Sequence, residues 1–151
     1  FFWDSGAERL RLLEVNARHS QEHARLFEMV DGVPNHNAMV RLGLGREPHG
    51  PRREGPYPMA AKWFLRHFSD GLVRRVPTPE EVRNLEQRLQ GCTVIVLVTE
   101  GAQLSEGYGE DSYSYELAEV FVGGRDEEDL KRKYDEALAA LPFRIDDVQE
   151  A

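Results

Sequence analysis

Hydrophobic and polar positions divide the chain into a short first part and a longer, more regular second part. Residues 1–3 and 9–15 read as two strands, and in the second Leu10 and Leu12 alternate with Arg9 and Arg11. That period of two belongs to a half-buried sheet. Asp4-Ser5-Gly6-Ala7-Glu8 between them carries hairpin-turn chemistry. Leu26, Phe27 and Val30 give residues 23–30 a short apolar helix face, which Asp31-Gly32 stops. Pro34 opens a second helix reaching about residue 44, with Met39, Val40 and Leu42 available to pack. Residues 46–56, rich in Pro, Gly and Arg, read as a linker.

The remainder, 57–151, alternates strands with amphipathic helices. Residues 57–68 form a long strand, turned by Ser69-Asp70-Gly71 into a strand over 72–76. Thr78-Pro79-Glu80-Glu81 is a helix start: Thr78 caps, Pro79 suits the first helical position and Glu81 completes a capping box. Val82, Leu85 and Leu89 form its apolar stripe, and Gly91 ends it. Strands follow over 93–98 and 117–122, separated by a polar, glycine-bearing loop. An acidic first turn near Asp126 opens a last helix, with Leu130, Tyr134, Ala137, Leu138 and Leu141 on one face. Residues 143–145 make a final short strand. From residue 72 the order is β-α-β-β-α-β, the split βαβ of a ferredoxin-like lobe. The expected class is therefore α+β.

Composition narrows the function. The 151 residues are 40% hydrophobic and 30% charged, which suits a folded domain. A net charge of −8 argues against non-specific nucleic-acid binding, which needs clustered Lys and Arg. Cys92 is the sole cysteine; it opens an apolar run and is expected to be a buried structural thiol. No apolar stretch is long enough to span a membrane, so no membrane partner is expected and the cytoplasm is the default compartment.

Chemistry concentrates near the start, in Leu13-Glu14-Val15-Asn16-Ala17-Arg18. On a strand Glu14 and Asn16 share a face and offer two oxygens. Mg²⁺ takes oxygen ligands and keeps waters or phosphates in its shell. Arg18, just beyond, is placed to neutralise a transferring phosphoryl group. A solvated strand end is the plainer alternative on spacing alone.

The longer run resembles ATP-grasp enzymes. Leu12-Leu13-Glu14-Val15-Asn16-Ala17-Arg18, then Gln21-Glu22-His23, Asp31-Gly32-Val33 and Leu42-Gly43-Leu44-Gly45 are similar to the C-terminal part of that family, nearest to biotin carboxylase and carbamoyl phosphate synthetase. The resemblance covers residues 1–45 and extends more weakly through Tyr108-Gly109-Glu110-Asp111-Ser112. Tyr115-Glu116 departs from the family pattern there, so substrate contacts of that region do not carry over. The resemblance implies that Glu14 and Asn16 bind the catalytic metals, Mg²⁺ or Mn²⁺. It implies that Arg18 faces the acyl phosphate, and that Glu22 matches the base that biotin carboxylase uses on bicarbonate. Residues 1–45 would end an ATP-grasp lobe of hairpin plus helices, and 57–151 would be the carboxyl-terminal lobe. The intact ligase would use ATP and a small carboxylate, transferring the acyl group to an amine or similar nucleophile. The glycine-rich phosphate loop and the ATP-binding lysines would belong to an N-terminal part of the same enzyme, so this chain by itself is expected to be inactive. A homodimer stays open.

Two other readings stand beside it. His19-Ser20-Gln21-Glu22-His23 fits the H-x-x-E-H pattern of inverted zinc metallopeptidases, with Glu100, Glu106 or Glu116 as the third ligand. His23 is otherwise expected to support the helix start. A non-catalytic ferredoxin-like binding module is the other. His36, His49 and His67 show no ligand spacing and are expected in surface or structural roles. Tyr108, Tyr113 and Tyr115 are expected to line a substrate mouth or to pack a loop onto the sheet.

Overall fold

The computed structural model describes residues 1–16, 20–107 and 114–147. Seven strands and four helices are described: β1 (Phe2–Asp4), β2 (Arg9–Arg11), α1 (Ala24–Asp31), α2 (His36–Gly43), β3 (Met59–His67), β4 (Gly71–Arg75), α3 (Pro79–Arg88), β5 (Cys92–Val96), β6 (Tyr115–Gly124), α4 (Glu127–Ala140) and β7 (Arg144–Asp147). Helix and sheet are mixed, as the α+β expectation has it.

The centre is an antiparallel sheet in the order β3-β6-β5. Its register sets Lys62 opposite Phe121, Phe64 opposite Glu119, and Glu119 opposite Ile95. Strand alternation sends Ala61, Trp63 and Leu65 of β3 to one face, together with Ala118, Val120 and Val122 of β6. There they meet Leu85 and Leu89 from α3 and the turn after it, and Leu130, Ala137 and Leu141 from α4 and its end. Trp63 stacks on Tyr134 with ring centroids 4.6 Å apart.

Both covering helices begin on caps legible in the sequence. Thr78 Oγ1 accepts the Glu81 N–H (3.2 Å) and Glu81 Oε2 accepts the Thr78 N–H (2.8 Å), with Pro79 at the first helical position. Asp126 Oδ1 accepts the Asp129 N–H at 2.8 Å to start α4.

The pairing of β4 differs from a split βαβ unit that starts at residue 72. Such a unit sets its first strand beside β6. Here β3 occupies that edge of β6, β5 holds the other, and β4 pairs with β7. A strand has only two edges, and nine-residue β3 gives a longer ladder than five-residue β4. Val73, Leu104 and Leu117 form a second buried cluster under the β4–β7 pair. Asp70 anchors this end, accepting from Gln103 Nε2, Ser105 Oγ and the Ser105 and Gly71 N–H groups.

α1 lies on the other face of the sheet, against β3 and β6. Gly32 ends it at φ +87°, donating its N–H to the Glu28 carbonyl. The chain leading into β3 is bound to its last turn: Arg53 N–H to Asp31 Oδ1, Gly55 N–H to the Val30 carbonyl and Tyr57 N–H to the Met29 carbonyl. An added Cβ at Gly55 would stand 2.4 Å from the Met29 oxygen, so only glycine permits this approach.

Two first-part expectations change. β2 ends at Arg11, four residues short of the expected strand end. Met39, Val40 and Leu42 of α2 are exposed rather than packed. The β1–β2 hairpin also leaves Phe1, Trp3, Leu10, Leu13 and Val15 exposed. Asp4 holds its turn, accepting from the Ala7 N–H and Arg11 Nε. Among the described residues no helix is long and apolar enough to cross a membrane.

Candidate functional site

The sheet face turned away from α3 and α4 carries the charge. Lys62 comes from β3, Glu119 from β6, and both interrupt apolar strand sequences. Lys62 is almost fully buried, at 6% side-chain exposure, and its Nζ lies 2.7 Å from Glu119 Oε1. It also stands 4.4 Å from the Phe64 ring centroid and 5.5 Å from that of Phe121. A buried ammonium needs such company, since desolvation is costly without paired charge. Four residues along β3, Arg66 pairs with Glu116 and donates to Ser114 Oγ at 2.7 Å.

A cleft of about 850 Å³ opens between this face and the segment entering α1. Its walls include Glu22, Arg25, Lys62 and Glu119, over a floor of Phe121 and Ile95. Glu22 Oε2 is 3.8 Å from Lys62 Nζ and its side chain is 69% exposed. Arg25 lies 5.5 Å above the Phe121 ring. It makes no ion pair with a carboxylate among the described residues. A smaller cleft of about 370 Å³ adjoins at Glu119, lined by Leu97, Leu104, Tyr115 and Glu116 among others.

The residues expected from sequence divide between two places. Glu22 lines the cleft; Glu14 and Asn16 do not. Since β2 stops at Arg11, strand alternation does not set their relation. A local hydrogen bond joins them instead: Asn16 Nδ2 donates to Glu14 Oε1 at 2.9 Å. In this placement the amide nitrogen of Asn16, and not its oxygen, faces the Glu14 carboxylate. Arg18 and His19 lie outside the described residues, as do Tyr108 and Tyr113.

Among the described residues no three His, Cys, Asp or Glu side chains converge as metal ligands. The H-x-x-E-H reading also needs His19, which lies outside the described residues. His23 supports the start of α1 through its carbonyl, which accepts the Phe27 N–H, while its side chain makes no capping bond. His36, expected at the surface or in the framework, lines the cleft.

Three other clusters have structural explanations. His67, Ser69 and Asp147 lie within hydrogen-bonding distance of one another, but Ser69 and Asp147 both address His67 Nε2. A relay needs the acid and the hydroxyl on opposite ring nitrogens, so this group only ties the β3 end to β7. Asp129, 5% exposed, accepts from Arg132 and from the Arg125 N–H, which hold its carboxyl down at about 2. That accounts for the basic residues around the start of α4. Cys92 is buried, and desolvation pushes its thiol up to about 11, as a structural cysteine requires.

Sequence reasoning missed Lys62, Arg25 and Glu119. The available signal was a lone lysine inside Met59-Ala60-Ala61-Lys62-Trp63-Phe64-Leu65 and a lone glutamate inside Leu117-Ala118-Glu119-Val120-Phe121. Comparison of the chain with protein-family models and with curated proteins gives no match.

Proposed function

We propose that this chain is the C-terminal part of an ATP-dependent, ATP-grasp-type carboxylate ligase. The observation that carries this reading is the order of these residues along the chain together with the surroundings of Glu22. The hydrogen-bonded Glu14–Asn16 pair is followed closely in sequence by Glu22, which stands on a substrate-sized cleft beside a buried lysine. Glu14 and Asn16 would hold Mg²⁺ or Mn²⁺, and Glu22 would hold or move a proton at its exposed carboxylate. Bound ATP would supply the phosphoryl group that activates a small carboxylate. Arg18 belongs to this site by sequence.

The lobe formed by residues 57–147 supports a ferredoxin-like reading once β3 is taken as its first strand. Then β3, α3, β5, β6, α4 and β7 follow the βαββαβ order with β4 inserted after β3, and β3-β6-β5 are neighbours as in that lobe, while β7 pairs with the inserted β4 and not with β3. The β1–β2 hairpin, with its exposed Phe and Trp side chains, would lie against the preceding part of the ATP-grasp lobe. Isolated two-stranded hairpins are marginal in water and need such a cover.

Calorimetric titration tests this. Mg²⁺ should bind weakly, and Glu14→Gln should abolish that binding. ATP with Mg²⁺ should show no saturable binding, because the reading places the nucleotide pocket in a preceding part of the enzyme. Saturable micromolar ATP binding by these 151 residues would overturn that placement. A non-catalytic binding module is the second reading, favoured by the open, charged cleft. It predicts ligand binding there with no response to Mg²⁺ at Glu14.

A further inference from the structure

We infer that the cleft between the α1 entry and the β3-β6-β5 sheet binds a zwitterionic α-amino acid with an apolar side chain. This deepens the ligase reading by naming the amine-bearing reactant, and rests on that reading for its role in catalysis.

Charge complementarity is the basis. Lys62 and Glu119 neutralise each other at 2.7 Å in a site where both are mostly buried. Beside that closed pair, and next to the His23 and His36 imidazoles, the cleft wall carries one further carboxylate and one guanidinium. Glu22 is weakly engaged, 3.8 Å from Lys62 and largely exposed. Arg25 is held over Phe121 without a carboxylate partner among the described residues. They are three residues apart at the entry to α1, and both line the cleft. A guanidinium in this position donates two N–H bonds to a carboxylate. A free carboxylate accepts an ammonium. A ligand carrying only one charge engages only one of them, leaving Glu22 to its long contact with Lys62 or Arg25 to solvent. A zwitterion satisfies both.

The floor sets the side chain. Phe121 is buried under Arg25, and Ile95 is 40% exposed in the same cleft. Apolar contact on the exposed Ile95 favours an aliphatic side chain over a polar one. At about 850 Å³ the cleft also has room for a second reactant beside an amino acid.

The experiment is an NMR titration of the chain with leucine, N-acetylleucine and leucinamide, without nucleotide or metal. Failure here is thus distinguishable from failure of the Mg²⁺ and ATP tests. Leucine should shift the Ile95 methyl and Arg25 Nε resonances saturably. N-acetylleucine, lacking the ammonium, and leucinamide, lacking the carboxylate, should each bind at least about ten-fold more weakly. Arg25→Gln should remove the preference for leucine over leucinamide. Glu22→Gln should remove the preference over N-acetylleucine. Both side chains are exposed, so neither substitution threatens folding. The inference fails if leucine shifts neither reporter, or if either single-charge analogue binds as tightly as leucine.

Discussion

Lys62→Met tests whether the charge beneath the cleft is a buried, mutually dependent pair. Methionine keeps an unbranched apolar stem and removes the ammonium. At the 2.7 Å separation of Lys62 Nζ and Glu119 Oε1, Coulomb attraction is about 6 kcal/mol at an effective dielectric of ~20. Desolvation of two ions opposes this by several kcal/mol. With 6% and 20% side-chain exposure, the pair lies between a surface bridge and a fully buried one. A net coupling of about 2 kcal/mol follows from that intermediate position. Glu22, 3.8 Å away and 69% exposed, sits in near-bulk water, and its screened contribution is below about 0.5 kcal/mol. Urea unfolding of Lys62→Met, Glu119→Gln and the double variant measures the coupling as a double-mutant cycle. Lys62→Met should lose about 2–3 kcal/mol, because it strands Glu119 against Phe64 and Phe121. The double variant should recover about 2 kcal/mol relative to additivity. Glu22→Gln should stay within about 0.5 kcal/mol of the parent chain. A coupling below about 0.5 kcal/mol, or one abolished by 0.5 M salt, would show that the pair is a solvated surface contact and that the cleft lacks its neutralised floor.

Other consequences follow from the framework. Gly123→Ala should cost about 1–3 kcal/mol, because its Cβ would stand 2.4 Å from the Tyr57 ring; a Tyr57→Ala background should relieve most of that, and strictly additive unfolding energies would disprove the contact. Thr78→Ala should cost about 1 kcal/mol in chemical unfolding through loss of the capping box, and a neutral result would remove the cap from the account of α3. The folded Asp129 carboxyl lies below its ordinary value, so its stabilising effect is complete above the unfolded pKa of about 4 and fades as pH falls toward about 2; Asp129→Asn should flatten that part of the stability–pH curve. The Cys92 thiol is raised, so the fold keeps its full contribution below about pH 8.5 and loses it as pH rises toward 11; iodoacetamide labelling at pH 8 should require unfolding, and rapid labelling of the native chain would contradict the burial.

Local signals were legible where local chemistry decides the outcome. Thr78, Pro79 and Glu81 form the cap that their spacing predicts, and Gly32 ends α1 in the left-handed conformation expected of its position. Strand partners were less legible, because they depend on competition between distant segments. β4 reads well as a strand, but its sequence does not say that β3 will hold the neighbouring edge of β6. β2 illustrates the opposite error. Leu12, Leu13 and Val15 continue its apolar character, while the observed ladder runs only from Phe2 opposite Arg11 to Asp4 opposite Arg9. The cleft was hidden for the first of these reasons. Lys62 and Glu119 meet only because β3 and β6 align Phe64 with Glu119, and a charge within an apolar run gives no hint of which distant charge will face it.

The two halves of the candidate chemistry therefore stand on supports of unequal firmness. Glu22 faces Lys62 of the packed sheet, so its surroundings are fixed by β3, β6 and α1. Glu14 and Asn16 extend beyond a three-residue strand whose apolar side chains are exposed. Such a hairpin has little of its own to hold it, because two strands without a hydrophobic layer beneath them are marginal in water. On the ligase reading, the surface that covers Phe1, Trp3, Leu10 and Leu13 also sets where the Glu14–Asn16 oxygens point. Metal binding and docking of the hairpin would then be linked, and each would strengthen the other by the same free energy. Weak Mg²⁺ binding by this chain is consistent with the ligase reading, since ligands on an uncovered arm must be ordered at the cost of binding energy. The decisive comparison on that reading is Mg²⁺ affinity with and without that cover, with the Glu14→Gln variant as the reference that should not respond.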